Sequence, residues 1–165
     1  MVRKPAKMYR SVKGAAYTRR KYMGGVPGSR ITQFDLGAVK GDFPITLKLT
    51  AKETCQIRHT ALEAARIAAN RYLFNGAGAQ GYHLRILPFP HHILRENKMA
   101  VGAGADRISN GMSHSFGKTV GTAARLRANQ EIIIVRTTRG NIKCAKDALR
   151  RASMKLPTPC EIALG

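Results

Sequence analysis

The chain has 165 residues, enough for one domain with a buried core, and its 44% hydrophobic content excludes a chain that is disordered throughout. Its 29 Lys and Arg outnumber nine Asp and Glu, and because a net charge of +20 destabilises a compact monomer by self-repulsion, it predicts a polyanionic partner, nucleic acid above all. A membrane partner is not expected, because no long apolar run, no signal-peptide core and no basic helix with a bulky apolar face is present.

The first 32 residues predict a basic arm. They contain no carboxylate, and a glycine-rich stretch at 24–28 interrupts regular structure. We expect this arm to lie along RNA, with cations on phosphates and tyrosines available for stacking on bases. A solvated, disordered tail is the alternative, but such tails are usually poor in aromatic residues. The tyrosines are Tyr9, Tyr17 and Tyr22, and the cations are Arg3, Lys4, Lys7, Arg10, Lys13, Arg19, Arg20, Lys21 and Arg30.

From about residue 33 the pattern becomes that of a folded domain. Residues 34–39 and 45–49 predict two strands, the second by the alternation of apolar and polar side chains expected of a half-buried strand. Thr50, followed three residues later by Glu53, predicts a capping box at the start of a long helix, and the Asn–Gly pair at 75–76 predicts its end. The apolar stripe of that helix is Ile57, Ala61, Ala64, Ala68 and Tyr72.

The second half of the chain predicts more strands and a second helix. The strands are expected at 82–87, 91–95, 120–126 and 131–138. The last of them contains a continuous Ile–Ile–Ile–Val run, which is typical of a central strand. Asn141 predicts the cap of the second helix, Pro157 its end, and residues 160–164 a final edge strand. The apolar stripe of the second helix is Ala145, Leu149, Ala152 and Leu156.

Residues 98–118 have little apolar periodicity and contain several glycines, serines and asparagines. A stretch of this length without a pattern inside a compact domain is either disordered when free or functional. Glycine lets a backbone approach phosphates and bases closely, and Lys98, Arg107 and Lys118 add positive charge. We therefore interpret this stretch as a loop that can enter a nucleic-acid cavity.

Two glycine motifs suggest a nucleotide-using enzyme, and both fail. Residues 76–81 match G-x-G-x-x-G, but the dinucleotide fingerprint needs a strand before it and a helix after it, and the predicted order here is the reverse. Residues 111–119 resemble a P-loop, but five residues separate the two glycines where the motif has four. An enzyme built on either motif is the least favoured class.

No catalytic residue, metal site or cofactor is predicted. The five histidines share no ligand spacing with each other or with the three cysteines, and the nine carboxylates suggest no acid/base pair. The odd number of cysteines, without C-x-x-C spacing, argues against a disulfide framework and a zinc site and indicates the reducing cytosol. We expect a protein that is not an enzyme.

Several stretches together resemble one family nearly from end to end. They are P-A-K-M-Y-R at 5–10, G-V-P at 25–27 with F-D-L-G at 34–37, A-L-E-A-A-R-I-A-A-N at 61–70, F-G-K at 116–118 with G-T-A-A-R at 121–125, and A-L-R-R-A at 148–152. The most specific are N-K-M at 97–99, G-A-G-A-D-R at 102–107 and G-M at 111–112. The chain is similar to the universal large-subunit ribosomal protein family whose bacterial member is L-sixteen, in its archaeal and eukaryotic ten-e branch. It ends at Gly165 without the longer C-terminal tail of eukaryotic members, which favours an archaeal member.

The resemblance implies an α+β fold with two helices packed on a mixed β-sheet, the α/β-hammerhead arrangement, in a single domain at 33–165. It implies a place on large-subunit rRNA near the A-site tRNA, among neighbouring ribosomal proteins in the cytoplasm and not in a homo-oligomer, where the RNA performs the chemistry. The loop at about 102–116 would approach the peptidyl transferase centre. Its candidate residues are Lys98, Gly102, Gly104, Arg107, Gly111, Met112, His114 and Lys118, and the body would add phosphate contacts through Lys40, Arg85 and Arg125.

Composition alone leaves a second class open, a free nucleic-acid-binding protein such as a tRNA-binding or chromatin factor. Sedimentation separates the two classes, because a ribosomal protein travels with the large subunit after a moderate salt wash and a free factor does not.

Overall fold

The computed structural model of the chain describes residues 4–97, 102–108 and 117–165. Within these residues the chain forms eight strands, two long helices and one short helix. The strands are β1 (Asp35–Gly37), β2 (Ile45–Ala51), β3 (Cys55–Arg58), β4 (Tyr82–Ile86), β5 (His92–Glu96), β6 (Lys118–Leu126), β7 (Glu131–Thr137) and β8 (Cys160–Leu164). The helices are α1 (His59–Ala77), α2 (Ala105–Ile108) and α3 (Ile142–Ser153).

The strands form two sheets. One has five strands in the order β1-β4-β7-β2-β8, and the other has three in the order β3-β6-β5. The expected α+β fold with two helices packed against β-structure is confirmed. Where one mixed sheet was expected, the described strands form two sheets whose pairs are antiparallel. The reason is the connectivity: parallel neighbours need a crossover between them, and neither α1 nor α3 connects two strands that pair with each other.

The core lies between the five-stranded sheet and the two long helices, and the inner residues of β3 and β6 belong to it as well. On β2, Leu47, Leu49 and Ala51 are fully buried, and the side chains between them are only half-buried. Leu47 pairs with Val135 of the central strand β7, which is also fully buried. This alternation is the one predicted from the sequence, and it directs one face of the sheet to the helices.

Helices α1 and α3 pack closely against each other. Cys144 of α3 lies directly against Gly76 near the end of α1, so that a Cβ at position 76 would collide with the Cys144 Sγ. Gly78 then ends α1 with a φ of 69°, a left-handed conformation that favours glycine. The glycine motif at 76–81 is therefore the end of a helix and a turn before β4, as its predicted order of elements required.

The predicted start of the first helix is wrong. Thr50 lies in β2, paired with Glu131 and Glu161, and α1 begins only at His59, after the buried strand β3. The pairing of β3 with β6 decides this, because local capping signals are weaker than the burial of a whole strand. The buried face of α1 also differs from the predicted stripe and consists of His59, Ala61, Leu62, Ala65, Ala69 and Leu73.

The second helix agrees better with its prediction. Ala145, Leu149 and Ala152 are fully buried, and α3 ends at Ser153, before Pro157. Asn141 stands at the N-cap position, but its side chain does not cap the helix; its amide Nδ2 donates to the Thr138 Oγ1 at 3.3 Å instead. Strand β8 lies at the edge of the five-stranded sheet, as expected. Among the described residues, no helix is long and apolar enough to cross a membrane.

Candidate nucleic-acid interface

The described part of the arm, residues 4–32, lies against the three-stranded sheet. The backbone N–H of Gln56 in β3 donates to the Arg10 carbonyl at 2.9 Å, and that of Ile93 in β5 donates to the Tyr17 carbonyl at 3.0 Å. The arm thus bonds to both outer strands of the sheet, whose edges would otherwise leave backbone groups unpaired. Whether residues 1–32 act as a unit separate from the domain stays a prediction.

Two of the three arm tyrosines are covered on one face by arginines of the body. The Cζ of Arg58 lies 4.5 Å from the centroid of the Tyr9 ring, and that of Arg95 lies 3.8 Å from the Tyr17 ring. Each pair is a cation–π contact that attaches the arm to the body. Tyr22 is 71% exposed, so it is the arm tyrosine with the most surface available to a base.

Most cations predicted for the arm are exposed and have no carboxylate within 4 Å among the described residues. They are Lys7, Lys13, Arg19, Arg20, Lys21 and Arg30. Two arm cations differ: Lys4 pairs with Glu96 at 3.4 Å, and Arg10 pairs with Glu53. We call the surface formed by residues 4–30 on the three-stranded sheet the arm face; it has a strong excess of positive charge.

The body cations predicted to bind phosphates have different surroundings. Lys40 is exposed, and Arg85 lies 3.6 Å from the Asp35 carboxylate. The guanidinium of Arg125 donates to the carbonyls of Gly14 at 2.7 Å and Lys13 at 3.3 Å. Arg125 thus holds the arm in place, a role that its position in the sequence does not indicate.

The outer face of the five-stranded sheet is charge-balanced by comparison. Its register places Lys48, Glu131 and Glu161 together. Lys48 lies 2.8 Å from Glu131, and Lys52 lies 3.6 Å from Glu161. Exposed pairs of this kind contribute little to stability, but they offset part of the positive charge on this sheet face.

A cavity of about 450 Å³ lies where the arm meets the start of α1. Its lining includes Lys4, Arg30, Arg58 and His59, and one carboxylate, Glu96, which is paired with Lys4. The Nδ1 of His59 accepts the backbone N–H of Arg30 at 2.8 Å, and the Arg58 guanidinium donates to the Lys4 carbonyl at 3.1 Å. No side chain caps the N-terminus of α1, so the helix and the cations together favour an anion here.

Sequence reasoning missed Arg58 and His59 as functional candidates. Neither residue belongs to the predicted apolar stripe of the first helix, whereas the structure buries both of them. No local signal identifies them, because their partners Lys4 and Arg30 lie 54 and 29 residues away in the chain.

His92 is a second attachment point of the arm. Its Nδ1 accepts the backbone N–H of Tyr17 at 2.9 Å. Burial, followed by the positive charges of Arg125, His91 and Arg95, lowers the pKa of His92 to about 4. The ring is therefore neutral near neutral pH, as an acceptor at Nδ1 requires.

We expect the attachment of the arm at Tyr17 to weaken on acidification. Because the folded pKa of His92 lies below the unfolded value of about 6.5, the unfolded chain takes up the proton first. The contribution of neutral His92 to the stability of the fold is therefore complete above the unfolded pKa of about 6.5, and it is lost as the pH falls towards about 4. The check is thermal unfolding, together with tryptic cleavage of the arm, across this pH range. His92→Asn is the control, because its amide oxygen accepts the same N–H without titrating. Equal pH slopes for both proteins would contradict the assignment.

The described part of the loop contains one short helix. Gly102 and Gly104 have φ angles of 126° and 82°, and Ala105–Ile108 forms the single turn α2. Arg107 is exposed on this turn, and Lys118 is exposed at the start of β6. The remaining predicted site residues lie outside the described residues: Arg3 in the arm, and Lys98, Gly111, Met112 and His114 in the loop.

A row of cations on α3 was not predicted. Lys143, Lys146 and Arg150 are exposed, and no carboxylate lies within 4 Å of them in the described part of the chain. Their spacing of three and four residues places them on one side of the helix. The same periodicity that predicted the buried stripe could have found them, since they lie outside the stripe that contains Ala145 and Leu149.

Comparisons with known proteins identify the family that the chain resembles. The family model for ribosomal protein L16p/L10e matches residues 12–163. Three similar relatives are each called large ribosomal subunit protein uL16. The Methanosphaerula palustris protein is 55% identical over 99% of this chain and 95% of its own length. The Methanoculleus marisnigri protein is 58% identical over 98% and 95%, and the Thermoplasma acidophilum protein is 55% identical over 99% and 93%.

Proposed function

The chain belongs to the ribosomal protein L16p/L10e family, and we propose that it binds large-subunit rRNA through the arm face. As a member of this family it is a structural constituent of the large subunit of the cytoplasmic ribosome, where it associates with rRNA and other ribosomal proteins. Membership decides against the free nucleic-acid-binding factor that composition left open.

The observation that supports the arm face as the rRNA surface is the uneven pairing of charge. Arm cations such as Lys13, Arg19 and Arg20 are exposed without acidic partners among the described residues, whereas Lys48 and Lys52 on the sheet face have partners. Exposed, unpaired Lys and Arg release the most counterions when they neutralise phosphates. The arm is also held to the body by cation–π contacts and backbone hydrogen bonds, so that its charges are presented in a defined arrangement.

The cavity at the start of α1 is proposed to hold one rRNA phosphate. Lys4, Arg30 and Arg58 line it together with the single carboxylate Glu96, which leaves an excess of positive charge, and the helix adds its own N-terminal partial charge. The half-buried position strengthens each electrostatic contact relative to a fully solvated pair. A phosphate bound there would also fasten the arm to the body.

The loop is proposed to extend the same function towards the A-site tRNA. The support is the exposed Arg107 and Lys118, together with the glycines at 102 and 104, whose φ angles other residues rarely adopt. We further propose that one copy acts in each subunit and that the chain contributes no catalytic group, leaving the chemistry to RNA. The absence of a catalytic group is supported by the carboxylates of the described residues, most of which form ion pairs with neighbouring cations.

The test is a deletion of residues 102–116. Glu96 and Lys118 are paired across β5 and β6, and residues 97–101 with 117 remain as a connection of hairpin length. We expect the variant to fold, to sediment with large subunits after a moderate salt wash, and to bind A-site tRNA at least tenfold more weakly, because the glycine-rich segment with Arg107, which is proposed to approach the tRNA, is removed. Subunits containing the variant with full A-site tRNA affinity would overturn the loop's role. A wild-type chain washed off the subunit would overturn the proposed function as a whole.

A further inference from the structure

A cavity beside α3, separate from the arm face, contains the side chains needed to hold a nucleobase. It has a volume of about 470 Å³ and is lined by Tyr72, Asp147, Arg150, Arg151 and Met154. Cavities of about 300–1,000 Å³ accommodate small organic ligands, so one purine base fits. The cations and the aromatic ring resemble the groups with which proteins bind unstacked bases of RNA.

Tyr72 and Arg151 form the stacking platform of this cavity. The Cζ of Arg151 lies over the Tyr72 ring, 4.3 Å from its centroid, so the guanidinium and the ring form a cation–π contact. Arg151 is exposed, which leaves the outer face of the guanidinium open to solvent. Bases splayed out of single-stranded RNA stack on arginine planes of this kind. A base stacked there would complete a layer of ring, guanidinium and base.

Asp147 provides the group that can read the base. It lies on the most basic helix of a chain with net charge +20, one turn from Arg150 and Arg151, yet no ion pair with it occurs among the described residues. Its Oδ2 accepts a long hydrogen bond of 3.4 Å from the Tyr72 hydroxyl, which orients the carboxylate at the cavity. A carboxylate is a pure acceptor, and among the bases guanine presents two adjacent donors, N1–H and N2–H₂, on its Watson–Crick edge.

The cations of α3 suit the RNA on either side of such a base. Lys143, Lys146 and Arg150 form a row along the exposed side of the helix, next to the cavity. A helix rises by about 1.5 Å per residue, so the row spans roughly 10 Å, enough for two successive phosphates of a strand. The cations would hold the backbone, and the cavity would hold the base.

We propose that this cavity binds an extruded guanine of the rRNA, stacked on Arg151 and hydrogen-bonded by its Watson–Crick edge to Asp147. The proposal rests on the rRNA binding proposed above and adds a second, base-specific contact on α3. A carboxylate that merely faced the RNA backbone would repel it. Removing the charge of Asp147 should therefore weaken rRNA binding if the carboxylate contacts a guanine, and strengthen it if the carboxylate only faces the RNA backbone.

The first test is the affinity of full-length Asp147→Asn for large-subunit rRNA of the source organism. We expect binding to weaken about tenfold, because a bidentate contact to the base is lost although a negative charge is removed. Asp42→Asn, an exposed acid without an ion pair in the described residues, is the matched control and should bind equally or more tightly. Equal or tighter binding by Asp147→Asn, at unchanged thermal stability, would overturn the proposal. Wild-type protein that does not bind rRNA would instead overturn the proposed function.

The second test locates the base. A dicarbonyl reagent that modifies N1 and N2 of unpaired guanines should show one guanine protected in subunits with the wild-type chain and reactive with Asp147→Asn. Arg151→Lys, which keeps the charge but loses the planar stacking surface, should expose the same guanine, and Arg127→Lys should not. If no guanine changes and the variants instead lose a contact to a neighbouring protein, the cavity binds protein and the proposal is wrong.

Discussion

Replacing five exposed arm cations by glutamine is expected to weaken rRNA binding and to flatten its dependence on salt. Each cation that contacts a phosphate contributes about 0.7 to 0.9 to the slope of log affinity against log salt concentration. If all five make such contacts, the slope falls by about 3.5 to 4.5. Fluorescence anisotropy with labelled large-subunit rRNA over a salt series measures this change. The five residues are Lys7, Lys13, Arg19, Arg20 and Lys21.

The matched control for the arm variant is Lys48→Gln with Lys52→Gln. Both lysines are paired with glutamates on the outer face of the five-stranded sheet. Per substituted residue, their effect on the slope should be far smaller than that of the arm cations, because the sheet face is not expected to lie on rRNA. An arm variant with the wild-type slope would show that the arm face is not the phosphate-binding surface.

Leu149→Ala is expected to lower the free energy of unfolding by about 2–5 kcal/mol, because it leaves a cavity in the core. Leu149 is fully buried on α3, in the core that α3 forms with α1 and the five-stranded sheet. Urea unfolding followed by circular dichroism measures the loss. The folded variant should keep the wild-type salt slope for rRNA binding, since no arm cation is changed.

Leu164→Ala tests whether burial is the cause of that loss. Leu164 lies at the end of the edge strand β8 and is 65% exposed. The same change of side chain should therefore cost no more than about 0.5 kcal/mol. If the two leucine variants lost equal stability, the packing of α3 described above would be wrong.

The buried residues of β2 and α3 could be predicted from the sequence, because they follow the apolar periodicity of each element. The alternation in β2 placed Leu47 and Leu49 on the inner face, and the stripe of α3 placed Ala145 and Leu149 there. In both cases one side of a regular element faces a single neighbouring layer. Periodicity then reports burial directly.

The start of α1 could not be predicted in the same way. Residues 55–58 alternate between apolar and polar side chains, but four residues are too few to separate a short strand from the helix that follows, and in the structure all four are buried as a strand paired with β6. The Thr50 and Glu53 pair favoured a helix start, and only the pairing with a strand about seventy residues away in the chain overrides it. The predicted apolar stripe was counted from Ile57, which lies in β3 and not in the helix. The stripe therefore continued through Ala64, Ala68 and Tyr72, whereas the buried face of α1 lies on Ala65, Ala69 and Leu73.

The cations of the candidate interface also fall into two groups, those that the local sequence identifies as candidates and those whose role depends on distant contacts. The positions of Lys13, Arg19 and Arg20 in an acid-free segment identified them without a structure. The pairing of Lys4 with Glu96, and the holding role of Arg125, depend on contacts with residues far away in the chain. Tyr72, Asp147 and Arg151 likewise meet only because α1 and α3 pack side by side.

The amino-acid sequence by itself determined the class of partner and most of the strands, and it predicted the basic arm and the glycine-rich loop, because charge, composition and short-range periodicity are local properties. The tertiary structure alone decided the division into two sheets, the attachment of the arm to both edges of the smaller sheet, and the cavity beside α3. Each of these depends on pairings between residues distant in the chain. Their free energy comes from burying particular surfaces together, and no short stretch of sequence records which surfaces those are.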